Sequence, residues 1–170
     1  MLKLLQPLTE SLMEKRIVAD IGKCVACKSC ELACALEHSP FKTIEGSLAG
    51  EPKPQPRIFI KASGKTIKMV RCRHCKKARC IEVCTAGALY RNSPEGLVLL
   101  DPAKCTACQA CIKTCPFGAI VLRRDGKAIV KCDLCQERAA AGRQPACVEA
   151  CPTRALKLSD GKEVPAAQKP

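Results

Sequence analysis

The chain has 170 residues, a formal net charge of +13, 16 cysteines, no tryptophan and an aromatic content of only 2%. This length suits one ordinary domain or two very small ones, and so few large apolar side chains leave too little core for a fold without metals or disulfides. The scarcity of aromatic residues, on which bases stack, also argues against nucleic-acid binding despite the positive charge.

The N-terminal arm, residues 1–16, has apolar positions at helical spacing. We expect a surface helix or a frayed terminus there, and the alternative is an arm that docks on a partner. The arm lacks an apolar run long enough for a secretory signal, and the chain has no stretch of about 18 to 20 apolar residues that would span a membrane. The expected location is therefore cytoplasmic.

The cysteines fall into four runs that share one spacing. The first and third runs read C-x2-C-x2-C-x3-C, whereas the second and fourth widen only the middle gap, to four and eleven residues. In bacterial ferredoxins this spacing lets three thiolates bind one 4Fe-4S cluster while the fourth binds a neighbouring cluster. The runs are Cys24, Cys27, Cys30 and Cys34; Cys72, Cys75, Cys80 and Cys84; Cys105, Cys108, Cys111 and Cys115; and Cys132, Cys135, Cys147 and Cys151.

Because these runs use every cysteine, the sequence predicts four 4Fe-4S clusters bound by all sixteen. Disulfides are a less favoured alternative, since they need an oxidising compartment. Zinc is a stronger alternative, although zinc sites usually pair two C-x2-C knuckles. Each cluster with its four thiolates carries a charge of about −2, so four clusters would lower the net charge of +13 to about +5.

Short elements are predicted between the runs. After Cys84, Cys115 and Cys151 the sequence repeats as three residues, then Ala and Leu or Ile, which indicates a turn and a strand. The Gly- and Pro-rich residues 40–56 are interpreted as a loop, and the Asp-Gly pair at 125–126 as a hairpin turn. The other predictions are strands at 17–21 and 97–101, a helix at 31–37 and a hairpin of 57–61 with 66–70.

The sequence offers no catalytic centre. There is no G-x-G-x-x-G after a strand, no P-loop, and no recognisable pair of nucleophile and base. His38 is interpreted as a polar residue at a helix end. His74 is expected to form a hydrogen bond to a cluster or to the backbone, with iron ligation as the alternative. We therefore expect a protein that is not itself an enzyme.

With a middle gap of four residues in the second run and eleven in the fourth, the four runs resemble a known family. This family comprises the four-cluster electron-transfer subunits of molybdenum or tungsten oxidoreductases, hydrogenases and carbon monoxide dehydrogenase. Segment 24–39 is most similar to the iron-sulfur subunits of carbon monoxide dehydrogenase and tungsten aldehyde oxidoreductase. The resemblance implies an α+β fold of two ferredoxin-like modules of two clusters each, one inserted in the other, with small hairpins and short helices. The implied parts are an N-terminal arm (1–16), an outer module (17–40 with 128–158), a connecting arm and hairpin (41–65), an inner module (66–127) and a mobile tail (159–170).

In that family the first run pairs with the fourth and the second with the third, and each pair exchanges fourth ligands. The implied ligand sets are Cys24, Cys27, Cys30 and Cys151; Cys132, Cys135, Cys147 and Cys34; Cys72, Cys75, Cys80 and Cys115; and Cys105, Cys108, Cys111 and Cys84.

The implied function is electron transfer between a catalytic subunit and a second electron carrier or flavin subunit. The catalytic partner would be an aldehyde or formate oxidoreductase, a carbon monoxide dehydrogenase or a hydrogenase. A free polyferredoxin and a homo-oligomeric conducting filament are the alternatives, and neither nucleic acid nor a membrane span is expected.

Overall fold

The computed structural model describes residues 15–94 and 96–159. The predictions for the N-terminal arm, apart from its last two residues, and for the mobile tail, apart from Ser159, lie outside these residues. No helix in the two described ranges is longer than nine residues, which is too short to cross the hydrocarbon core of a bilayer.

Short helices and two-stranded sheets make up the described chain. The helices are α1 (Ser29–Glu37), α2 (Ile44–Ala49), α3 (Arg79–Glu82), α4 (Ala110–Thr114), α5 (Gln136–Ala140) and α6 (Ala146–Glu149). The strands are β1 (Arg16–Ala19), β2 (Ile58–Ser63), β3 (Thr66–Arg71), β4 (Leu89–Arg91), β5 (Val98–Leu100), β6 (Val121–Leu122), β7 (Ile129–Val130) and β8 (Leu156–Ser159).

Each strand pairs with one antiparallel partner, in the sheets β1–β8, β2–β3, β4–β5 and β6–β7. This confirms the expected α+β class with small hairpins and short helices. The insertion of one module within another stays a prediction.

The first and last described strands pair with each other. Ile17 lies opposite Leu158 in the β1–β8 sheet, and α1 packs against α6. These contacts bring the first cysteine run beside the fourth. The predicted strand 17–21 ends at Ala19, because the side chain of Asp20 caps a short 3-10 turn that follows it.

Two hairpins were predicted, and both are present. The β2–β3 hairpin has Ser63 opposite Thr66, as expected from the sequence. In the β6–β7 hairpin the amide of Gly126 donates to the carbonyl of Arg123 at 2.9 Å, and Gly126 itself has a φ of 72°. The glycine therefore follows the turn instead of occupying its centre, which is the arrangement of longer hairpin loops.

The segment 40–56 contains a helix that the loop interpretation missed. Helix α2 begins after Thr43, whose hydroxyl accepts a hydrogen bond from the amide of Gly46 at 3.2 Å. A Cβ at Gly50 would lie 2.0 Å from the ring of Phe41, so this glycine allows the ring to close over the helix end. The capping threonine was the sequence signal for this helix.

Buried apolar side chains form two clusters. The first core also contains cysteines of the first, second and fourth runs, and its members include Ile17, Cys30, Cys34, Ile58, Ile60, Cys72, Leu97, Cys132, Leu134, Cys147 and Leu156. The second core contains Ala78, Leu89, Val98, Cys111, Ile120 and Ile129. Cys115 packs against both cores, so the cysteine sulfurs are part of the interior that joins them.

Candidate iron-sulfur centres

Each run begins with the same backbone turn. The second residue after the first cysteine has a positive φ in every run: Ala26 (55°), His74 (48°), Ala107 (55°) and Leu134 (59°). This conformation is uncommon for residues other than glycine and costs about 1–2 kcal/mol each. Its recurrence indicates that the loops are shaped around something, and turns of this kind commonly direct backbone N–H groups towards an anion.

The third cysteine of every run occupies an equivalent place on a helix. It is the second residue of that helix in each case: Cys30 in α1, Cys80 in α3, Cys111 in α4 and Cys147 in α6. The widened middle gaps of the second and fourth runs therefore insert residues before the helix without changing it. In the fourth run the inserted residues form α5.

The chain also turns in the same way after three of the fourth cysteines. Gly87, Gly118 and Arg154 have φ values of 61°, 58° and 52°, and their amides donate to the carbonyl of the fourth cysteine at 3.0, 3.2 and 3.1 Å. The first run differs, because Cys34 lies within α1.

Two cavities are each lined by three cysteines of one run and the last cysteine of another. The first-run cavity is lined by Cys24, Cys27, Cys30 and Cys151 together with Ile60, Met69 and Leu156. The third-run cavity is lined by Cys105, Cys108, Cys111 and Cys84 together with Leu89, Leu100 and Ile129. In both cavities apolar side chains surround the four thiols.

A third set of cysteines, here called the buried set, consists of Cys34, Cys132, Cys135 and Cys147, all four of which are buried. Burial raises the pKa of Cys147, and the neighbouring Cys132, Cys34 and Cys135 raise it further. Burial also raises the pKa of Cys132 to about 12, with Asp133, Cys34 and Cys72 contributing. These effects require the four sulfurs to lie near one another.

The second-run set consists of Cys72, Cys75, Cys80 and Cys115. Burial raises the pKa of Cys80 to about 11, and the charges of Cys72, Cys115 and Cys75 act in the same direction. Burial, Cys72 and Cys115 likewise raise the pKa of Cys75. Thiolates that repel one another in this way favour a shared metal centre, because the positive charge of the metal offsets their repulsion.

The four sets differ in exposure. All sixteen cysteines lie in the described ranges, and among them Cys27 of the first-run cavity and Cys108 of the third-run cavity are exposed. Cys30 is close enough to Cys147 to raise the pKa of Cys147. Cys72 likewise raises the pKa of Cys132. The buried set therefore lies near both the first-run cavity and the second-run set.

His38 caps the end of α1, which confirms its interpretation as a polar residue at a helix end. Its Nδ1 lies 2.8 Å from the carbonyl oxygen of Cys34, and its Nε2 lies 3.1 Å from Oδ1 of Asp133. Asp133 also pairs with Arg57 at 2.5 Å. Sequence reasoning missed this ion pair, because no local pattern relates two residues so far apart in the chain.

His74 is 1% exposed and forms the expected hydrogen bond to the backbone. Its Nδ1 accepts from the amide of Val98 at 3.2 Å, and its own amide donates to Sγ of Cys72 at 3.4 Å. Among the described residues its Nε2 has no hydrogen-bond partner. The imidazole thus connects the second run to β5.

A basic residue directly precedes the first cysteine of every run, a signal that our sequence analysis did not use. These residues are Lys23, Arg71, Lys104 and Lys131. Lys23 and Lys104 have largely exposed side chains, whereas Arg71 and Lys131 are 8% and 3% exposed.

The chain is similar to known proteins whose names refer to electron transport and oxidoreductases. Over 154 residues the chain is 36% identical to Escherichia coli (strain K12) YsaA, named as an electron transport protein, covering 89% of this chain and 94% of that protein. It is 33% identical to YnfG of the same strain, named as a chain of an anaerobic dimethyl sulfoxide reductase, over 85% of this chain and 73% of YnfG. It is also 39% identical to E. coli UacF, named as an oxidoreductase, over 88% of this chain, but it spans only 22% of UacF.

The family described as 4Fe-4S dicluster domain matches residues 66–161, which include the second, third and fourth runs. This confirms the resemblance to iron-sulfur electron-transfer subunits at the level of the family, while the link to carbon monoxide dehydrogenase and tungsten enzymes stays a prediction. The donor chemistry fits the same conclusion, since each of the two cavities offers four thiols in largely apolar surroundings. By sequence and by the local geometry of its cysteines, this chain belongs to the 4Fe-4S dicluster family.

Proposed function

We propose that the chain is a non-catalytic electron-transfer subunit that carries electrons through four 4Fe-4S clusters between a catalytic oxidoreductase subunit and another redox partner. The observation that carries this proposal is the pair of cavities in which Cys151 completes the first run and Cys84 completes the third. Exchange of fourth ligands between runs is the pattern of two-cluster ferredoxins. The names of YsaA and YnfG support the same role.

The proposed ligand sets are those of the two cavities, the buried set and the second-run set. The lining of the first-run cavity and that of the third-run cavity directly support the ligand sets proposed there. For the other two, support comes from the effects that their sulfurs exert on one another, such as that of Cys34 on Cys147 and that of Cys115 on Cys80. The pairing would make residues 17–40 with 128–158 an outer module and residues 66–127 an inner one.

The effects of these sulfurs on one another's pKa support an order for the clusters. The first-run cluster would lie next to the buried cluster through Cys30 and Cys147, and the buried cluster next to the second-run cluster through Cys132 and Cys72. Cysteines of the second-run and third-run sets pack together in the second core. The clusters would therefore form a line with the first-run and third-run clusters at its ends.

When bound, each cluster supplies a one-electron couple with its charge spread over several irons. The chain holds the ligands in place and donates hydrogen bonds to their sulfurs. The amide of Arg57 donates to Cys34 at 3.3 Å, and the amide of His74 donates to Cys72 at 3.4 Å. Such donors stabilise negative charge on the sulfur and raise the potential of the site.

Electrons would enter and leave at the two ends of this line, because Cys27 and Cys108 are its exposed ligands. Two exposed ends fit one catalytic partner and one further carrier or flavin subunit. The catalytic partner would be a molybdenum or tungsten oxidoreductase, a carbon monoxide dehydrogenase or a hydrogenase. The same two ends also fit a free polyferredoxin, which would purify alone instead of with a large cofactor-containing chain.

Iron and sulfide analysis tests the proposal. Anaerobically purified protein should contain about 16 iron and about 16 sulfide per chain, since there are four complete ligand sets. Zinc without sulfide would overturn it.

Cysteine variants test the pairing. Cys151→Ser should match Cys24→Ser in iron content and in its electron paramagnetic resonance spectrum, because both alter the first-run cluster. It should differ from Cys132→Ser, which alters the buried cluster. If Cys151→Ser matched Cys132→Ser or Cys105→Ser instead, the exchange of ligands between the first and fourth runs would be wrong.

A further inference from the structure

The basic residues that precede the four runs occupy two different environments. Lys23 and Lys104, at the ends of the proposed line, have side chains that are 57% and 65% exposed, and each pairs with an aspartate three residues earlier, at 3.3 and 3.8 Å. Arg71 and Lys131 precede the second and fourth runs and are buried. Equivalent positions in the sequence therefore carry compensated surface charges at the ends and buried charges in the interior.

Within residues 15–94 and 96–159, no carboxylate forms an ion pair with Arg71 or Lys131. Their polar contacts are to uncharged carbonyl groups. Nη1 of Arg71 donates to the carbonyl of Cys72 at 3.2 Å, and Nζ of Lys131 donates to the carbonyls of Val98 and Cys132 at 2.5 and 2.8 Å. Because a buried charge without a counter-charge is strongly destabilising, these two cations require an anion nearby.

Cysteine sulfurs of the two interior sets adjoin both cations in the chain. Arg71 directly precedes Cys72 of the second-run set, and Lys131 directly precedes Cys132 of the buried set. Lys131 also reaches the second-run region, since it binds the carbonyl of Val98, whose amide is bound by His74. Burial lowers the pKa of the Arg71 guanidinium, and the charges of Cys132, Cys147 and Cys72 oppose that effect. Both cations therefore lie where the buried set meets the second-run set.

Burial alone would disfavour electrons at this place. Adding an electron makes a cluster more negative, and a buried site solvates that charge less well than an exposed one. All four ligands of the buried set are buried and no ligand of the second-run set is exposed, whereas each end set has an exposed cysteine. Without compensation, an electron would therefore meet less favourable sites in the middle of the line than at its ends.

We propose that Arg71 and Lys131 are charge-balancing residues that raise the reduction potentials of the two interior clusters, so that electrons cross the buried middle of the chain. This inference rests on the proposed four-cluster function. Lys23 and Lys104 have no such role, because solvent and their aspartate partners screen them.

The test is a redox titration, monitored by electron paramagnetic resonance, of holoprotein carrying Arg71→Gln or Lys131→Gln. Each variant should make reduction of an interior cluster about tenfold less favourable, which corresponds to a potential lower by about 59 mV for one electron. The matched controls Lys23→Gln and Lys104→Gln remove the same charge at equivalent exposed positions and should leave all potentials nearly unchanged. Arg71→Lys and Lys131→Arg retain the charge and should retain the wild-type potentials.

Iron and sulfide content is measured first, because wild-type protein without four clusters would refute the proposed function itself. With four clusters present, equal shifts in the buried variants and the exposed controls would overturn the charge-balancing role. So would unchanged potentials in Arg71→Gln and Lys131→Gln.

A measurement on the wild-type protein covers the case in which the glutamine variants lose clusters. A soluble dysprosium chelate speeds the spin relaxation of exposed clusters more than that of buried ones. Part of the signal that appears first during reduction should resist the chelate, since the interior clusters would be reduced no later than the ends. If every early signal were strongly affected, and resistant signals appeared only at the lowest potentials, the inference would be wrong.

Discussion

The first and third runs differ from the second and fourth in their surroundings, although all four begin with the same turn. In all four runs the second residue after the first cysteine has a positive φ, and the third cysteine is the second residue of a helix. The compact first and third runs line cavities with an exposed cysteine, whereas the fourth run, with α5 in its widened gap, contributes three cysteines to the buried set. The residues inserted in the fourth run therefore leave the turn at its first cysteine unaltered.

Removal of the metal should have the largest effect. The first core includes Cys34, Cys132 and Cys147, and their thiols cannot fill the space of a cluster. We expect anaerobic chelation to abolish cooperative melting and native circular dichroism, because too little apolar surface remains. Rebuilding the clusters with iron and sulfide should restore both signals. An apoprotein that still melted cooperatively would show that the interior runs are held by ordinary packing.

Replacing an interior cysteine should cost more stability than replacing a cysteine at an end of the line. Cys147 is 3% exposed, whereas Cys27 is exposed. Cys147→Ser would place a hydroxyl in the first core, at a cost of about 1–3 kcal/mol of unfolding free energy. This cost adds to the damage to the proposed cluster of the buried set. Denaturant unfolding under anaerobic conditions should therefore show a larger loss of stability for Cys147→Ser than for Cys27→Ser. Equal losses would mean that burial does not distinguish the two regions.

A smaller effect is expected for Arg138 of α5, which binds carboxylates of α1 and α6. The Arg138 guanidinium is buried, and it binds Glu37 of α1 at 2.8 Å and also Glu149 of α6. Arg138→Met should cost about 1–2 kcal/mol of unfolding free energy, because both carboxylates are partly exposed. Arg143→Met is the control, since Arg143 is exposed and contacts the same Glu149. An equal loss in the control would contradict the special role of Arg138.

The contribution of Arg138 should depend on pH. Although burial alone raises it, hydrogen bonds from Arg138 and Lys42 hold the pKa of Glu37 below its ordinary value of 4.5. A lowered folded-state pKa gives stability that is present above 4.5 and lost as the pH falls through the folded value. Wild type and Arg138→Met should therefore converge in stability below that pH. A difference that stayed constant in acid would argue for lost packing instead.

The smallest effect concerns the turn after the fourth cysteine. Gly87 and Gly118 occupy the left-handed position in the second and third runs, whereas the fourth run has Arg154 there, with a φ of 52°. Arg154→Gly should stabilise the protein by about 0.5–1 kcal/mol by relieving this strain. The reverse test, Gly118→Ala, meets no neighbouring atom within 4 Å and should cost a similar amount through strain alone. Thermal melting measures both, and a destabilised Arg154→Gly would show that the arginine has a compensating contact.

Much of the local structure could be predicted from the sequence, because it depends on residues close together in the chain. Spacing alone grouped the sixteen cysteines into four runs, which share one backbone turn, and apolar residues around a turn signal indicated the β2–β3 hairpin. The Asp-Gly hairpin was predicted, but its turn lies one position earlier, because Gly126 takes the left-handed position that follows the turn. Helix α2 was missed, because Gly and Pro around it outweighed the cap that Thr43 provides.

The environment of each run depends on tertiary packing and could not be predicted from the sequence. A basic residue before every first cysteine is visible in the sequence, but the sequence does not show that Lys23 is exposed while Lys131 is only 3% exposed. It likewise did not reveal that His38 and Arg57 meet at Asp133. Burial and such long-range ion pairs depend on how distant segments pack, here through the β1–β8 pairing and the packing of α1 on α6, whereas a turn depends only on its own few residues.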